Sequence, residues 1–248
     1  MKIYVDLNTN QMGERAAQIT AQELNRAIEQ QGHARLLLST GASQFEMLEA
    51  LVKKNVRWDK VTMFHLDEYV DLPVQHPASF RKYLQERFVD KVHPGAYHFV
   101  NGEGDVKANI AALTNELRSA PIDVALIGIG ENGHIAFNDP PADFENREAY
   151  IIVNLDERCK RQQMGEGWFA TLDEVPNQAV TMTPWQIMQS RVILSVVPGK
   201  RKAEAIQKML EAPATTVMVP ATKLREHENC VLFLDEGSAS EVDPKYLP

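Results

Sequence analysis

The feature that most constrains the fold is a regular alternation of short apolar runs with amphipathic segments. Residues 122–127 are apolar after Asp123, as in a strand that helices cover on both faces. The runs that we predict as strands share a high content of branched apolar and aromatic residues. They are residues 34–38, 60–66, 97–100, 122–127, 150–153, 192–197, 216–219 and 230–234.

Between many of these runs lie stretches whose apolar residues recur at helical spacing. They are residues 14–30, 45–54, 80–88, 106–117 and 202–210. This alternation predicts right-handed βαβ crossovers. We therefore expect an α/β fold of the Rossmann-like three-layer type, with a mainly parallel sheet flanked by helices on both faces. No repeat or linker divides residues 1–248, which predicts a single domain.

Composition and charge narrow the classes of function. The 26 Lys and Arg residues against 34 Asp and Glu residues give a net charge of −8, and no long basic tract predicts a nucleic-acid partner. Asp6 interrupts the N-terminal apolar residues and no later run is long enough to span a bilayer, so we expect a cytoplasmic protein without a membrane partner. Cys159 and Cys230 fit neither a disulfide framework nor a zinc site, and no metal is predicted.

Active sites in parallel sheets form at the carboxyl ends of the strands, so we expect functional residues in the loops after the predicted strands. The first loop follows residues 34–38 and precedes a predicted helix. Small residues at a helix start present backbone N–H groups and hydroxyls to an anion such as a phosphate. The alternative is an ordinary helix cap by the last serine. The loop consists of Ser39, Thr40, Gly41, Ala42 and Ser43.

The second loop begins with two adjacent carboxylates, Asp67 and Glu68, after the strand at residues 60–66. Neighbouring side chains at the end of a strand point in different directions, so at most one is expected to face a site while the other caps a helix or faces solvent. Asp67 continues the alternation of Met63 and His65. A terminal Asp-Glu pair on its own is more often surface than catalytic.

The third loop contains Gly-Ile-Gly-Glu-Asn-Gly at residues 128–133, which matches the dinucleotide-binding fingerprint. That fingerprint requires a helix to begin at the glycines, whereas Pro140 and Pro141 would end any helix almost at once. A nicotinamide cofactor is therefore not expected. We expect instead a turn that projects His134, whose ring titrates near neutral pH, with Asp139 able to orient that ring. The alternative is a histidine that only caps a turn.

The fourth feature is a basic turn, Lys200-Arg201-Lys202, at the start of a predicted helix. The helix dipole disfavours cations there, and a bound anion would remove the conflict. A solvated basic turn is the alternative. Arg158, Lys160 and Arg161 form a second basic set on a presumed helix.

In this order the loops resemble the glucosamine-6-phosphate deaminase/isomerase family, whose relatives include 6-phosphogluconolactonases. The resemblance extends roughly from Ser39 to Asp235. The most specific segments are Phe-His-Leu-Asp-Glu-Tyr at residues 64–69 and the glycine-rich segment at 128–139. Asp-Glu-Tyr and His-Ile-Ala-Phe-Asn are similar to the deaminase branch, whereas the lactonases tend to carry Asp-Glu-Arg and His-Thr-Ala-Ser-Leu-Phe.

The resemblance implies a cofactor-free aldose–ketose isomerisation with deamination, in which glucosamine 6-phosphate and water give fructose 6-phosphate and ammonia. It implies that His134 helps to open the sugar ring, that Asp67 moves the C2 proton to C1, and that Asp139 and Asn132 support the histidine. The residues that would bind the phosphorylated substrate are Ser39, Thr40, Gly41, Ala42, Ser43, Gly133, Arg158 and Lys202.

Some positions depart from the pattern of the deaminases. Asn132 and Asp139 stand where Asp and Glu are common, so Asn132 can offer the imidazole an amide oxygen but no charge. The position where the family carries a phosphate-binding Arg falls near Gln162 or Gln163 in this sequence. Arg158, Lys160 or Arg161 would then have to take the place of that Arg. Two other functions therefore stay open: a lactonase-type hydrolase in which His134 activates water, and a non-catalytic sugar-phosphate sensor. A homo-oligomer also stays open.

Overall fold

The computed structural model describes residues 1–165 and 167–248, and the side chain of Arg158 lies outside what it describes. Its centre is a seven-stranded sheet in which every strand runs parallel to its neighbours. This confirms the predicted parallel sheet. From one edge to the other, the strands are β1 (Lys2–Asp6), β10 (Cys230–Asp235), β9 (Val192–Val197), β6 (Val124–Ile127), β2 (Ala34–Leu38), β3 (Val61–His65) and β5 (Ala96–His98).

Helices cover both faces of this sheet, which confirms the three-layer arrangement. Successive residues of a strand point to opposite faces, and accordingly Leu36 and Leu37 of β2 belong to two different apolar clusters. The described helices are α1 (Thr9–Gln31), α2 (Phe45–Leu51), α3 (Phe80–Leu84), α4 (Asp90–Val92), α5 (Val106–Arg118), α6 (Glu157–Gly165), α7 (Pro184–Ile187), α8 (Ala203–Glu211) and α9 (Glu236–Ala239). Helices α1 and α2 pack on one face, and α5 and α8 pack on the other.

A second, smaller sheet stands beside the carboxyl ends of the parallel strands. It consists of β4 (Asp67–Tyr69), β8 (Gln178–Met182) and β7 (Tyr150–Asn154), all antiparallel. The predicted strand at residues 150–153 is thus confirmed as a strand but belongs to this sheet. Strands β1, β4 and β8 were not predicted, because β4 is short and acidic and β8 mixes polar with apolar residues.

Leu66 joins the two sheets. Its backbone N–H donates to Leu38 of β2 at 3.2 Å, and its carbonyl accepts from the N–H of Met182 in β8 at 2.8 Å. One residue therefore separates the last residue of β3 from Asp67 at the start of β4.

The prediction of a strand at residues 216–219 is wrong. Thr216 and Val219 form a single antiparallel bridge that closes a turn, and Val217 and Met218 are exposed at its tip. The β-branched residues favoured a strand, but a strand also needs a neighbour along its length. The predicted helix at 45–54 is shorter than expected, because α2 ends at Leu51. The predicted helix at 80–88 is confirmed as helical, with α3 continued from Gln85 to Val89 by a π-helix.

Among the residues that the structure describes, no helix is both long and apolar enough to cross a membrane.

Candidate active site

A cleft with about 570 Å³ of open space lies at the carboxyl ends of β2, β3, β6 and β9. Residues from all four predicted loops line it, together with side chains of α3 and α6. The wall consists of Ser39, Thr40, Gly41, Ser43, Leu66, Asp67, Phe80, Gly128, Ile129, Gly130, His134, Ala136, Phe137, Gln162, Gln163 and Lys202.

The first loop contributes four of its five residues to the wall, while Ala42 is exposed and does not line the cleft. The alternative role for Ser43 as a helix cap is wrong, because neither α2 nor the short turn before it has a side-chain cap. Ser39 is only 7% exposed, and its hydroxyl oxygen has no hydrogen-bond partner among the described residues. Buried polar atoms are normally hydrogen-bonded, so this hydroxyl is well placed to meet a polar ligand.

The two adjacent carboxylates diverge, as strand alternation predicts. Asp67 is 7% exposed and faces the cleft. Glu68 is fully buried on the other side and accepts hydrogen bonds from the Ser79 hydroxyl at 2.8 Å, the backbone N–H groups that open α3, and Arg81 Nε at 3.1 Å. Burial, and then the charge of Asp67, raise the pKa of Tyr150. Asp67 is the first residue of β4 and follows Leu66, so it lies where the two sheets meet. The hydrogen bonds of the adjacent Glu68 hold it in place.

The third loop is a tight turn from which no helix starts, as Pro140 and Pro141 predict. Gly133 N–H donates to the carbonyl of Gly130 at 3.0 Å, and Gly130 N–H donates to the carbonyl of His134 at 2.9 Å. A Cβ on Gly130 would lie 2.2 to 2.5 Å from atoms of the His134 ring. The imidazole thus packs directly on the backbone of Gly130, and only glycine leaves room for it there.

Asp139 lies behind His134. The distance from His134 Nδ1 to Asp139 Oδ1 is 3.0 Å, although the ring N–H does not point straight at the oxygen. Burial raises the pKa of Asp139, but the contact with His134, the Asn132 amide and the Cys159 thiol together outweigh burial and lower this pKa from 3.8 to about 2. The carboxylate is therefore charged at neutral pH.

Asn132 links the two residues in a way that differs from the prediction. Its amide nitrogen donates to Asp139 Oδ1 at 2.8 Å, and its amide oxygen accepts from the backbone N–H of His134 at 3.0 Å. The expectation that this oxygen accepts from the imidazole ring is wrong, because the turn brings it to the backbone instead.

Gly133 also lies away from the cleft wall, contrary to its predicted role. Its carbonyl accepts from the N–H of Ala221, and a Cβ there would lie 2.9 Å from Val219. Its φ of 85° and this close packing explain the glycine without a ligand.

The basic turn and α6 close the cleft. Lys202 lines the wall, whereas Arg201 pairs with Glu131 of the third loop at 2.9 Å. The sequence provided no firm role for Gln162 and Gln163, yet both line the cleft, and Tyr69 donates to Gln163 Oε1 at 2.6 Å.

The second basic set does not replace the expected Arg within the described side chains. Lys160 bonds to Asn177 and Arg161 pairs with Glu157, and neither lines the cleft. The predicted role of the Arg158 side chain lies outside the described residues. Leu66, Phe80 and Phe137 were missed because the apolar part of a wall has no motif of its own.

The cleft combines three chemical capabilities: hydroxyls and a lysine that can bind an anion, a carboxylate at Asp67, and an imidazole backed by a charged carboxylate. This set suits the binding of a phosphorylated compound and proton transfer on it. Among the described residues, no three His, Cys, Asp or Glu side chains come together as a metal site.

Comparisons with known proteins show which family the chain resembles. The sequence profile of the family described as glucosamine-6-phosphate isomerases/6-phosphogluconolactonase matches residues 8–233. A glucosamine-6-phosphate deaminase of Streptococcus uberis is 34% identical over 213 residues, which cover 86% of this chain and 89% of that protein. A glucosamine-6-phosphate deaminase of Exiguobacterium sibiricum is 38% identical over 204 residues, which cover 82% of this chain and 79% of that protein.

Solved structures give the same result. A structure described as a monomeric glucosamine-6-phosphate deaminase of the NagB superfamily matches with a TM-score of 0.88 at 30% identity, covering 97% of this chain and 100% of that one. A 6-phosphogluconolactonase of Thermotoga maritima matches with a TM-score of 0.78 at 18% identity, over 94% of this chain and 99% of that one, which shows a shared fold alone. The chain belongs to the family of glucosamine-6-phosphate isomerases and 6-phosphogluconolactonases.

Proposed function

We propose that the protein is an amino-sugar-phosphate isomerase and deaminase that converts glucosamine 6-phosphate and water into fructose 6-phosphate and ammonia without a cofactor. The observation that carries this proposal is that Asp67 and His134 line the same cleft as the serine- and glycine-containing loop at residues 39–43. The relatives that bear the deaminase name at 32% to 38% identity support it.

The phosphate binds to the loop at residues 39–43 and to Lys202, and this fixes the position of the sugar carbons over the reactive groups. His134, backed by the charged Asp139, moves the proton from the C1 hydroxyl to the ring oxygen as the C1–O5 bond breaks. The Asp67 carboxylate then takes the proton from C2 while the C2 ammonium passes a proton to the C1 oxygen, which gives an enolamine, and Asp67 returns its proton to C1 to leave a protonated imine at C2. Water adds to the resulting C2 imine, and the C2–N bond breaks to release ammonia and leave the ketone.

Asp67→Asn tests the proposal because an amide of the same size cannot accept the C2 proton. We expect the wild-type protein to form ammonia and fructose 6-phosphate in equal amounts, and Asp67→Asn to lower kcat by roughly 10²- to 10⁴-fold, the usual contribution of a general base. Asp71→Asn is the matched control, since Asp71 is exposed, four residues away and outside the cleft wall. Its kcat should equal that of the wild type.

Two outcomes would replace this proposal with the alternatives from the sequence. Faster opening of 6-phosphogluconolactone that survives Asp67→Asn would assign the cleft to a hydrolase. Binding of hexosamine 6-phosphates without any product would assign it to a sensor. A panel of glucosamine, galactosamine and mannosamine 6-phosphates also identifies the preferred sugar.

The oligomeric state and the cytoplasmic location stay predictions. Light scattering at the assay concentration distinguishes a homo-oligomer from the single chain of 27.9 kDa. A relative described as monomeric makes the single chain the alternative outcome. Fractionation of cells that produce the protein from its own gene tests the location.

A further inference from the structure

Gln44 lies directly beneath the loop at residues 39–43, and the proposed function gives it no role. Its side chain is 0% exposed, and it does not line the cleft. A buried amide is unfavourable unless it is hydrogen-bonded, and a methionine would fill similar space without that requirement. The amide oxygen of Gln44 is buried without a hydrogen-bond partner among the described residues, so the reason for a glutamine at this position must lie in the hydrogen bonds of its amide nitrogen.

The orientation of the Gln44 amide follows from one partner. Nε2 lies 3.1 Å from the carbonyl oxygen of Val196 in β9, and a carbonyl can only accept. The nitrogen, and not the oxygen, must therefore face Val196. The same nitrogen lies 3.1 Å from the hydroxyl oxygen of Ser43. With one N–H directed to Val196, the other is directed to Ser43.

This arrangement fixes the direction of the Ser43 hydroxyl. A serine hydroxyl has one hydrogen and can both donate and accept. Because its oxygen accepts from Gln44, its hydrogen must point to another group, and Ser43 lines the cleft. A phosphate oxygen can only accept from it, and hydrogen bonds to charged groups are stronger than neutral ones. Ser43 is thereby prepared as a donor before the ligand arrives.

The amide of Gln44 packs closely against the backbone of Gly128. A Cβ on Gly128 would lie 3.2 Å from Gln44 Nε2 and 3.9 Å from the Ser39 hydroxyl. The amide therefore fits between β9, the loop at residues 39–43 and the start of the third loop, and it has little freedom to turn over.

We propose that Gln44 is a positioning residue that makes the Ser43 hydroxyl an obligatory donor to a phosphate group in the cleft. The inference rests on the proposed function for the nature of the ligand, because a phosphorylated substrate is what the donor would meet. The role of Gln44 requires less than the proposed reaction does: it requires only that the cleft binds a phosphate through Ser43.

A double-mutant cycle with inorganic phosphate as the ligand tests this. Isothermal titration calorimetry gives the Kd for the wild type, Gln44→Met, Ser43→Ala and the double variant. We expect Ser43→Ala to weaken phosphate binding about tenfold or more, as for a lost hydrogen bond to a charged group. Gln44→Met should weaken binding about threefold to tenfold in the wild-type background and less than twofold when Ser43 is already alanine, since it acts through that hydroxyl.

Gln44→Glu provides a second, sharper change. A carboxylate of the same size would accept the Ser43 hydrogen, turn the hydroxyl away from the cleft and repel the phosphate, so binding should weaken more than in Gln44→Met. If this variant does not fold, the Met and Ala cycle decides alone. Gln186→Met is the matched control, because Gln186 is also a buried glutamine but lies in α7 outside the cleft wall. It should change the Tm and leave the Kd unchanged.

The inference is overturned if Gln44→Met leaves the phosphate Kd unchanged, or weakens binding equally with and without the Ser43 hydroxyl. Its failure can be told apart from failure of the proposed function. If the protein turns over glucosamine 6-phosphate but the effects of Gln44→Met and Ser43→Ala on the phosphate Kd are additive, only the role of Gln44 is rejected. Coupled effects on phosphate binding without ammonia release from any hexosamine phosphate would reject the proposed reaction and leave the role of Gln44 in place.

Discussion

At the scale of single residues, Asp139 connects the chemistry of the cleft to the stability of the chain. The amide of Asn132 and the thiol of Cys159 donate to the carboxylate that stands behind His134. When the pKa of a carboxyl group is lower in the folded than in the unfolded protein, the group stabilises the fold at pH values above its unfolded pKa. This stabilisation is lost as the pH falls toward the folded pKa. The two proteins to compare are therefore the wild type and Asp139→Asn.

We expect the wild type to be more stable than Asp139→Asn above pH 4. The pKa falls from 3.8 to about 2 on folding, so roughly 2 kcal/mol of this difference should disappear as the pH is lowered from 4 to 2. Urea denaturation at a series of pH values measures it. Asp173→Asn, at an exposed site, should show no such dependence. A constant difference at all pH values for Asp139→Asn would contradict the prediction.

His65 gives a second pH dependence with the same sign. It is buried, and its Nε2 accepts from the backbone N–H of Val100 at 2.7 Å. Burial, and then the charge of Arg81, lower its pKa from 6.5 to about 3. The neutral ring therefore contributes stability above pH 6.5, and this contribution is lost as the pH falls from 6.5 toward 3.

We expect the free energy of unfolding of the wild type to include a decrease of about 1.4 kcal/mol per pH unit from this group between pH 6 and 4. His65→Gln should lack that decrease, because its amide does not titrate and can still accept from Val100. His33→Gln, at an exposed position, is the control. Equal pH dependence in the wild type and His65→Gln would show that the ring is not kept neutral by burial.

At the scale of elements, β4 is a strand of three residues whose position depends on side chains more than on its own length. Glu68 binds the start of α3, and Arg81 continues the network to Asn101 at 2.8 Å and Glu103 at 2.8 Å. A Cβ on Gly102 would lie 2.0 Å from the carbonyl oxygen of Tyr69, so this loop also packs tightly on the strand. Asp67 depends on the same contacts, since it is the first residue of β4.

Glu68→Gln is expected to destabilise the protein by about 3 kcal/mol, because it leaves the buried Arg81 without its full charge partner. It should also lower kcat, since the adjacent Asp67 loses its fixed position. Denaturation and steady-state kinetics on the same preparations measure both effects. Glu86→Gln, at an exposed pair 4.0 Å from Lys82, should change stability by less than about 0.5 kcal/mol. A loss of less than about 1 kcal/mol for Glu68→Gln would show that other contacts hold β4.

Strands that are defined by their local sequence could be predicted, whereas strands that depend on a distant pairing partner could not. The parallel strands other than β1 were predictable because each is a local apolar run bounded by polar residues. Strand β4 was not, because Asp67 and Glu68 become part of a sheet only through pairing with Thr181 and Val180, more than 100 positions later. Residues 216–219 had the local composition of a strand and lacked such a partner.

The same limit applies within the candidate site. Asp67, His134 and the loop at residues 39–43 were predictable because strand exits carry chemistry in this class of sheet. The direction of the Asn132 amide and the packing of Gly133 on Val219 were not, since both depend on how the chain turns back on itself.

At the scale of the whole molecule, the cleft lies where the two sheets meet. Thr40 and Lys202 belong to the loops of the parallel sheet, while Asp67 begins a strand of the antiparallel one. A ligand that touches both sides binds the folded chain and not the unfolded one, so it must raise the stability of the fold.

Fructose 6-phosphate at 100 times its Kd should raise the free energy of unfolding by about 2.7 kcal/mol, and fructose without the phosphate should have little effect. Differential scanning calorimetry detects the increase as a higher Tm. Ser43→Ala should reduce the increase at the same ligand concentration. An equal response to both sugars would mean that the phosphate is not the group that the cleft binds.

Leu66 has a consequence for how such a chain can change in length. Its N–H belongs to one sheet and its carbonyl to the other, with His65 and Asp67 on either side. Adding or deleting a single residue there would reverse the inward and outward faces of the residues of β4, because side chains alternate along a strand. Insertions should therefore be accepted in the exposed turn around Met218 and rejected between residues 63 and 69, and a library of single-codon insertions selected for sugar-phosphate turnover would find this stretch to be fixed in length.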